Sequence, residues 1–177
     1  MSLRVNYKDS PVWRKQHEEL VYSNCRRILN RRFETPDGVQ DFEIKYEVDG
    51  AAVVALTPAQ EVLLVREFRP GPEAWLLELP GGNMDDDEDP EGAAPRELLE
   101  ETGYAATLRY AGAMVDCAYS TRRRHVFVAD DAVQVKESAE GLEVVLMPLA
   151  EFRDHLRSGQ LTDVGAGYRA LDDLGLL

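Results

Sequence analysis

Short apolar blocks separated by turn residues run along most of the chain, and their spacing predicts mainly strands. VYSNCRRIL from Val21 and FEIKYEV ending at Val48 flank the turn signal Pro36-Asp37-Gly38, which predicts a small antiparallel meander. After Asp49-Gly50, AAVVAL and EVLLVREF predict two core strands joined around Pro58, the second rich in β-branched residues. Pro70-Gly71-Pro72 breaks the chain before AWLLELP carries it into Gly81-Gly82. Beyond residue 104, ATLRYAGAMV and RHVFVAD predict strands around the loop DCAYSTRR, and LEVVLMPL follows the acidic connector KESAEG.

Three stretches carry helical signals. Asp89 can cap a helix with Pro90 at its first position, and Thr102-Gly103 ends it, because glycine readily turns left-handed. Pro95 conflicts with that helix, since it lacks the amide that would bond the Glu91 carbonyl; a kinked first turn or a regular start nearer Pro95 is expected. Leu149 to Arg157 and Thr162 to Leu174 are helical by periodicity, the second capped by Thr162 or Asp163. Residues 1–20 read as a polar arm, with Ser10-Pro11 opening a turn or a short helix through Trp13 to Leu20. Strands around one acidic helix, followed by further helices, predict an α/β sandwich.

At 177 residues and 44% hydrophobic content the chain suits one compact unit with a substantial core. A formal charge of −13 argues against nucleic acid or an anionic membrane as partner, both being polyanions. Cys25 and Cys117 lack metal-ligand or disulfide spacing, and no signal peptide or long apolar span appears, so a cytoplasmic setting is expected.

The acid is concentrated between Gly82 and Tyr104. On a helix, Glu97, Glu100 and Glu101 fall at i, i+3 and i+4 and share one face. An acidic run is most often a solvated face; three carboxylates this close repel one another unless divalent cations sit among them, and such oxygen donors suit Mg2+ or Mn2+. The spacing Gly-x5-Glu-x7-Arg-Glu-x-x-Glu-Glu-x-Gly is met by Gly82, Glu88, Arg96, Glu97, Glu100, Glu101 and Gly103. It resembles the signature of the Nudix hydrolases. Leu98 supplies the aliphatic residue the pattern asks for, and Tyr104 stands where another is usual.

The resemblance extends over residues 28–174 and is nearest the ADP-ribose pyrophosphatase branch, through REFRPGPEAWLLELPGG and SGQLTDVGAGYRAL. It implies a Nudix-type α/β/α sandwich with a mixed sheet (residues 49–177), preceded by a small antiparallel β subdomain (21–48) that forms a homodimer and by the arm (1–20). It implies metal ligation by Glu97, Glu100, Glu101 and the Gly81 carbonyl, and a Glu88–Arg96 ion pair holding the loop to the helix. Arg69 would reach the diphosphate, and Glu78 would bond the sugar or adenine or serve the strand end. Glu140, with Glu137 in reserve, aligns with the loop base. The implied activity is Mg2+-dependent hydrolysis of a nucleoside diphosphate linked to another group, ADP-ribose first, giving AMP and ribose 5-phosphate. Another nucleotide sugar, a dinucleotide, or a non-catalytic nucleotide sensor are the alternatives. The branch's Ser-Pro-Gly is replaced by Ala118-Tyr119-Ser120, which opens the choice of substrate. Arg122-Arg123-Arg124-His125 is either a strand start or a cluster facing phosphate or acid groups, and Trp13, Tyr22 and Tyr46 are aromatics without an assigned role.

Overall fold

A computed structural model describes residues 11–177, which divide into two units. The first comprises the described residues up to Glu47 together with Cys117–Thr121. Its strands β1 (Arg14–Ser23), β2 (Arg27–Thr35) and β3 (Gly38–Tyr46) pair antiparallel in the order β1-β2-β3. Two expectations are corrected here. The stretch from Trp13 to Leu20 is not helical: residues from Arg14 onward pair with β2, from Arg14↔Glu34 to Ser23↔Arg27, and Trp13 packs against Phe33 and Phe42. Ladder bonds and cross-strand charges such as Glu18 with Arg31 outweigh the helical propensity of Lys15-Gln16-His17-Glu18-Glu19-Leu20. VYSNCRRIL is not one strand either, because Asn24-Cys25-Arg26 turn the chain between β1 and β2. Residues 1–10, the rest of the expected arm, lie outside the described residues.

The turn Pro36-Asp37 closes the β2–β3 hairpin, with Thr35 Oγ1 donating to the Gly38 carbonyl at 2.9 Å. The predicted loop at 117–121 runs against β3: Lys45 N donates to Tyr119 O at 2.8 Å and Thr121 N to Lys45 O at 3.0 Å.

The second unit, Val48–Asp116 with Arg122–Leu177, holds β4 (Gly50–Ala55), β5 (Glu61–Arg69), β6 (Ala74–Glu78), α1 (Pro90–Thr102), β7 (Tyr104–Ala105), β8 (Arg109–Val115), β9 (Arg123–Ala129), β10 (Val133–Gln134), β11 (Glu143–Pro148), α2 (Leu149–Ser158) and α3 (Val164–Asp173). One sheet runs β4-β9-β8, with β4 parallel and β8 antiparallel to β9; a second, antiparallel sheet runs β11-β5-β6, and β7 pairs with β10. Although β4 and β5 are joined by a short turn around Pro58, they enter different sheets.

Helices cover both faces of this unit, which explains why β4 is apolar throughout. Ala51, Val53 and Ala55 pack with Ala93, Ala94 and Leu98 of α1, while Ala52, Val54 and Leu56 pack with Phe152, Leu156 and Leu171 of α2 and α3. The result is an α/β/α sandwich. Burying each of these Val and Leu side chains stabilises the fold by about 1.5–3 kcal/mol.

α1 is helical from Pro90, so the regular helix does not wait for Pro95. The Asp89 carboxylate accepts from Gly92 N at 2.8 Å and the Asp89 carbonyl accepts from Ala93 N at 3.0 Å, which fixes the first turn. Pro95 lies on the exposed face, where water can satisfy the unbonded Glu91 carbonyl. In α3 Asp163 occupies the cap position without a side-chain capping bond.

α1 ends at Gly103, φ +74°, whose amide bonds the Leu99 carbonyl. Val135 N and Lys136 N both donate to the Gly103 carbonyl, and a Cβ on Gly103 would stand 2.1 Å from Lys136 O. Left-handed geometry alone costs a side chain about 1–2 kcal/mol. Gly103→Ala is therefore expected to destabilise the protein by more than about 2 kcal/mol in urea unfolding; a loss within experimental error would show that the 135–136 segment yields freely.

Candidate active site

The site begins with backbone. Ala51 N donates to the Gly82 carbonyl at 3.0 Å and Val53 N to the Pro80 carbonyl at 2.8 Å, so buried β4 holds the loop that leads to α1. Gly81, φ +152°, donates its amide to Glu101 Oε2 at 2.9 Å. A Cβ on Gly82 would stand 2.5 Å from Glu97 Oε1, so only glycine lets the carboxylate approach the loop this closely.

Glu97 and Glu101 are each only 8% exposed, whereas Glu100 is partly exposed. Burial pushes the Glu101 carboxyl up to about 8; the Gly81 amide opposes the shift, and the charges of Glu97, Glu140 and Glu67 add to it. Burial also raises Glu97, opposed by Arg96 and reinforced by Glu100 and Glu140.

Arg96 gathers the loop and the helix. Its Nε and Nη2 form a bidentate pair with Glu88 at 2.9 and 2.8 Å, Nη2 also donates to Asn83 O, and Nη1 donates to Glu97 at 3.0 Å and Glu100 at 3.1 Å. Among the described residues no three acidic, histidine or cysteine side chains stand together in metal-holding geometry, Arg96 Nη1 bridging two of the three glutamates instead. The donor set nevertheless fits a hard divalent cation: it is all oxygen, it is partly buried, and burial and mutual repulsion push the Glu97 and Glu101 carboxyls toward protonation.

Glu140 is exposed, and its charge acts on both Glu97 and Glu101. Its loop is tied to the end of α1, since Ala139 N and Glu140 N donate to the Glu100 carbonyl at 2.9 and 3.4 Å and Ser138 Oγ does so at 3.3 Å. Glu137 shows no comparable influence on the helix carboxylates.

Arg69 and Glu78 are bound to each other. Arg69 Nε donates to both Glu78 oxygens at 2.9 Å, and Glu78 is 3% exposed. Arg69 Nη1 donates to Glu67 at 3.1 Å. Glu67 was not among the candidate residues, although its place two positions before Arg69 on a strand puts both on one face. The arginine cluster separates: Arg122 Nε donates to Val48 O, Arg123 N to Asp49 Oδ1, and Arg124 pairs with Asp163, while His125 lies between Tyr110 and Asp49.

Residues 47–164 match the NUDIX domain, and the chain belongs to that family. It is a hydrolase. It is 36% identical over 138 residues to a CMP-5'-(N-acetyl-N-hydroxy-3-aminopropyl)phosphonate hydrolase of Streptomyces rubellomurinus, covering 72% of this chain and 65% of that protein. Identity with the ADP-ribose pyrophosphatase of Bacillus subtilis is 29% over 143 residues, 76% of this chain and 77% of the relative. With the GDP-mannose pyrophosphatase of Cronobacter sakazakii it is 34% over 133 residues, 65% of this chain and 68% of the relative. The fold is similar to the crystal structure of an ADP compounds hydrolase, with a TM-score of 0.73 at 23% identity over 94% of this chain and 97% of that one.

The Glu88–Arg96 pair holds the Glu88 carboxyl down at about 2, well below its ordinary 4.5, aided by the Asp85 amide. A carboxyl depressed by folding contributes stability above its unfolded value, and that contribution disappears as pH falls through the folded value. Glu88→Gln is therefore expected to melt below the wild type by a constant interval above about pH 5, closing as the pH approaches 2; melting curves at several pH values check it, and an interval independent of pH would contradict the pairing.

Proposed function

We propose that this protein hydrolyses a nucleoside diphosphate linked to a second group, with ADP-ribose as first candidate and AMP and ribose 5-phosphate as products. The observation that carries this is the pair of buried, mutually repelling carboxylates, Glu97 and Glu101, held against Gly81 and Gly82 with Glu140 beside them. Similarity to an ADP-ribose pyrophosphatase supports the substrate class. Relatives acting on GDP-mannose and on a CMP-phosphonate, together with Ala118-Tyr119-Ser120 in place of Ser-Pro-Gly, favour another nucleotide-linked compound as second reading.

Glu97, Glu100, Glu101 and the Gly81 carbonyl would hold Mg2+, or Mn2+. The Pro80 and Gly82 carbonyls are engaged by β4, which leaves that of Gly81 without an internal partner among the described residues. A bound divalent cation supplies positive field that stabilises charge developing on the phosphate oxygens and eases deprotonation of water. Arg69, with 39% of its side chain exposed, contacts the diphosphate; Glu78 and Glu67 hold its guanidinium in place. Glu140 takes the proton of the attacking water, its exposed carboxylate being free to pass that proton to solvent. Arg96 and Glu88 keep the loop in register with α1.

We further propose a cytoplasmic homodimer joined through the first unit. Every residue of β1 is exposed, including the apolar run Leu20, Val21 and Tyr22, each at least half exposed, and an edge strand that bares such a run invites a partner. Cys25 and Cys117 are free and exposed, which suits a reducing compartment.

Glu101→Gln keeps the shape of the side chain and an acceptor for Gly81 N, so folding is expected to persist while turnover in Mg2+ falls by at least about 100-fold. Near wild-type release of AMP from ADP-ribose would exclude the role. Light scattering is expected to give twice the chain mass for the wild type and the single-chain mass for Val21→Lys/Tyr22→Lys; a monomeric wild type would remove the dimer.

A further inference from the structure

The Arg69 guanidinium has two edges that can each receive a pair of acceptor oxygens, and carboxylates stand against both. On the side edge, Nε donates to both Glu78 oxygens at 2.9 Å and Nη2 also reaches Glu78. On the end edge, Nη1 donates to Glu67 Oε1 at 3.1 Å and Nη2 lies 2.9 Å from Glu67 Oε2. Each carboxylate thus meets the arginine in the paired-oxygen geometry that a phosphate also presents.

The two pairs differ in what opening them costs. Glu78 has 4% of its side chain exposed, and releasing it would leave a buried charge without its partner. Glu67 has 36% of its side chain exposed, so water can hydrate the carboxylate once it leaves, and exposed ion pairs are weak. The end edge is therefore the one a ligand can win. Its place in the fold suits that role. Val65, Glu67 and Arg69 alternate onto one face of β5, whereas Arg66 and Phe68 fall on the other, both against Trp75. The charge of Glu67 acts on Glu101 and that of Glu101 acts on Arg69, so the Glu67 face adjoins the α1 carboxylates.

We propose that Glu67 is an internal competitor for the diphosphate: in the free protein it occupies the end edge of Arg69, and phosphate oxygens bind there as its carboxylate swings out. Glu78 keeps the side edge in both states and anchors the arginine. The proposal rests on the hydrolase reading above for the role of Arg69, and on the two occupied edges for the role of Glu67. Affinity is reduced by the fraction of molecules in which the edge is blocked, so neutralising Glu67 strengthens binding. A residue that only steadied the arginine would weaken binding when replaced.

Glu67→Gln keeps the size of the side chain and removes its charge. Calorimetric titration in Mg2+ with α,β-methylene-ADP, whose P–C–P bridge resists hydrolysis, reads binding without turnover. The variant is expected to bind at least about threefold more tightly than the wild type. Arg69→Lys separates this from a general gain on lowering negative charge, because its single ammonium keeps a cation beside Glu78 but offers no second edge for Glu67 to block. In that background Glu67→Gln is expected to change affinity by less than about 1.5-fold. NMR of the Arg69 guanidinium in the wild type supplies a readout that needs no variant: saturating analogue is expected to shift the Nη signals while Nε stays bonded to Glu78. Unchanged or weaker binding by Glu67→Gln, an equal gain in both backgrounds, Nη signals that ignore the analogue, or no binding by folded wild type and folded Glu67→Gln alike overturns the proposal. A gain that depends on Arg69 upholds it even if no nucleotide-linked diphosphate is hydrolysed, in which case only the catalytic reading fails.

Discussion

Two glutamates buried against glycine backbone set the terms for the rest of the second unit. Glu97 and Glu101 lose most of their water, and what they receive in return among the described residues is one amide, from Gly81, and one guanidinium, Arg96. Such an arrangement persists only if the loop cannot retreat. Alternate carbonyls of that loop are bonded to β4, a strand buried along its whole length, and the glycine at 82 removes the side chain that would hold the carboxylate away. Arg96 then closes the loop onto the helix through Glu88. Core packing, loop conformation and the carboxylate environment are consequently one problem: whatever loosens β4 lets water reach Glu97 and Glu101 and relaxes the electrostatic tension between them.

The far end of α1 uses a different resource. The last carbonyls of a helix lack intrahelical donors, and here that of Glu100 accepts from Ser138, Ala139 and Glu140 while that of Gly103 accepts from Val135 and Lys136. The segment 135–140 has no regular structure beyond Gln134, yet its path is defined by these bonds. An exposed glutamate is thereby carried next to two buried ones by the needs of the helix terminus, not by packing of its own side chain.

How much of this was legible in the sequence follows from the range over which each feature is determined. The α/β architecture, the core strands β4 and β5 and the boundaries of α1 follow from local apolar runs and from caps such as Asp89 and Gly103. The Glu97–Glu100–Glu101 relation follows from spacing on one helix, whereas the Glu88–Arg96 pair was implied by the resemblance to the Nudix signature. Trp13 to Leu20 was misread because its composition favours a helix and only pairing with β2 makes it a strand. Pro95 was overweighted because a sequence does not show which face meets solvent. The bonding of Arg69 to Glu78 and of Arg124 to Asp163 joins residues brought together by sheet register and by the docking of α3, neither of which leaves a local trace. Asp163 even carried a misleading signal, since a residue in a cap position turned out to be committed to an arginine instead.

Charge completes the argument. With 33 acidic against 20 basic residues, a phosphate-bearing ligand gains little from the protein's overall field. The arginines nearest the α1 carboxylates do not offset this, because Arg96 is shared among Glu88, Glu97 and Glu100, and Arg69 is shared between Glu67 and Glu78. Each guanidinium is oriented by carboxylates and largely neutralised by them. The crowded acids on α1 are suited to divalent cations, and cations held there would supply the attraction for a phosphate-bearing ligand that these arginines lack, tying affinity to cation concentration.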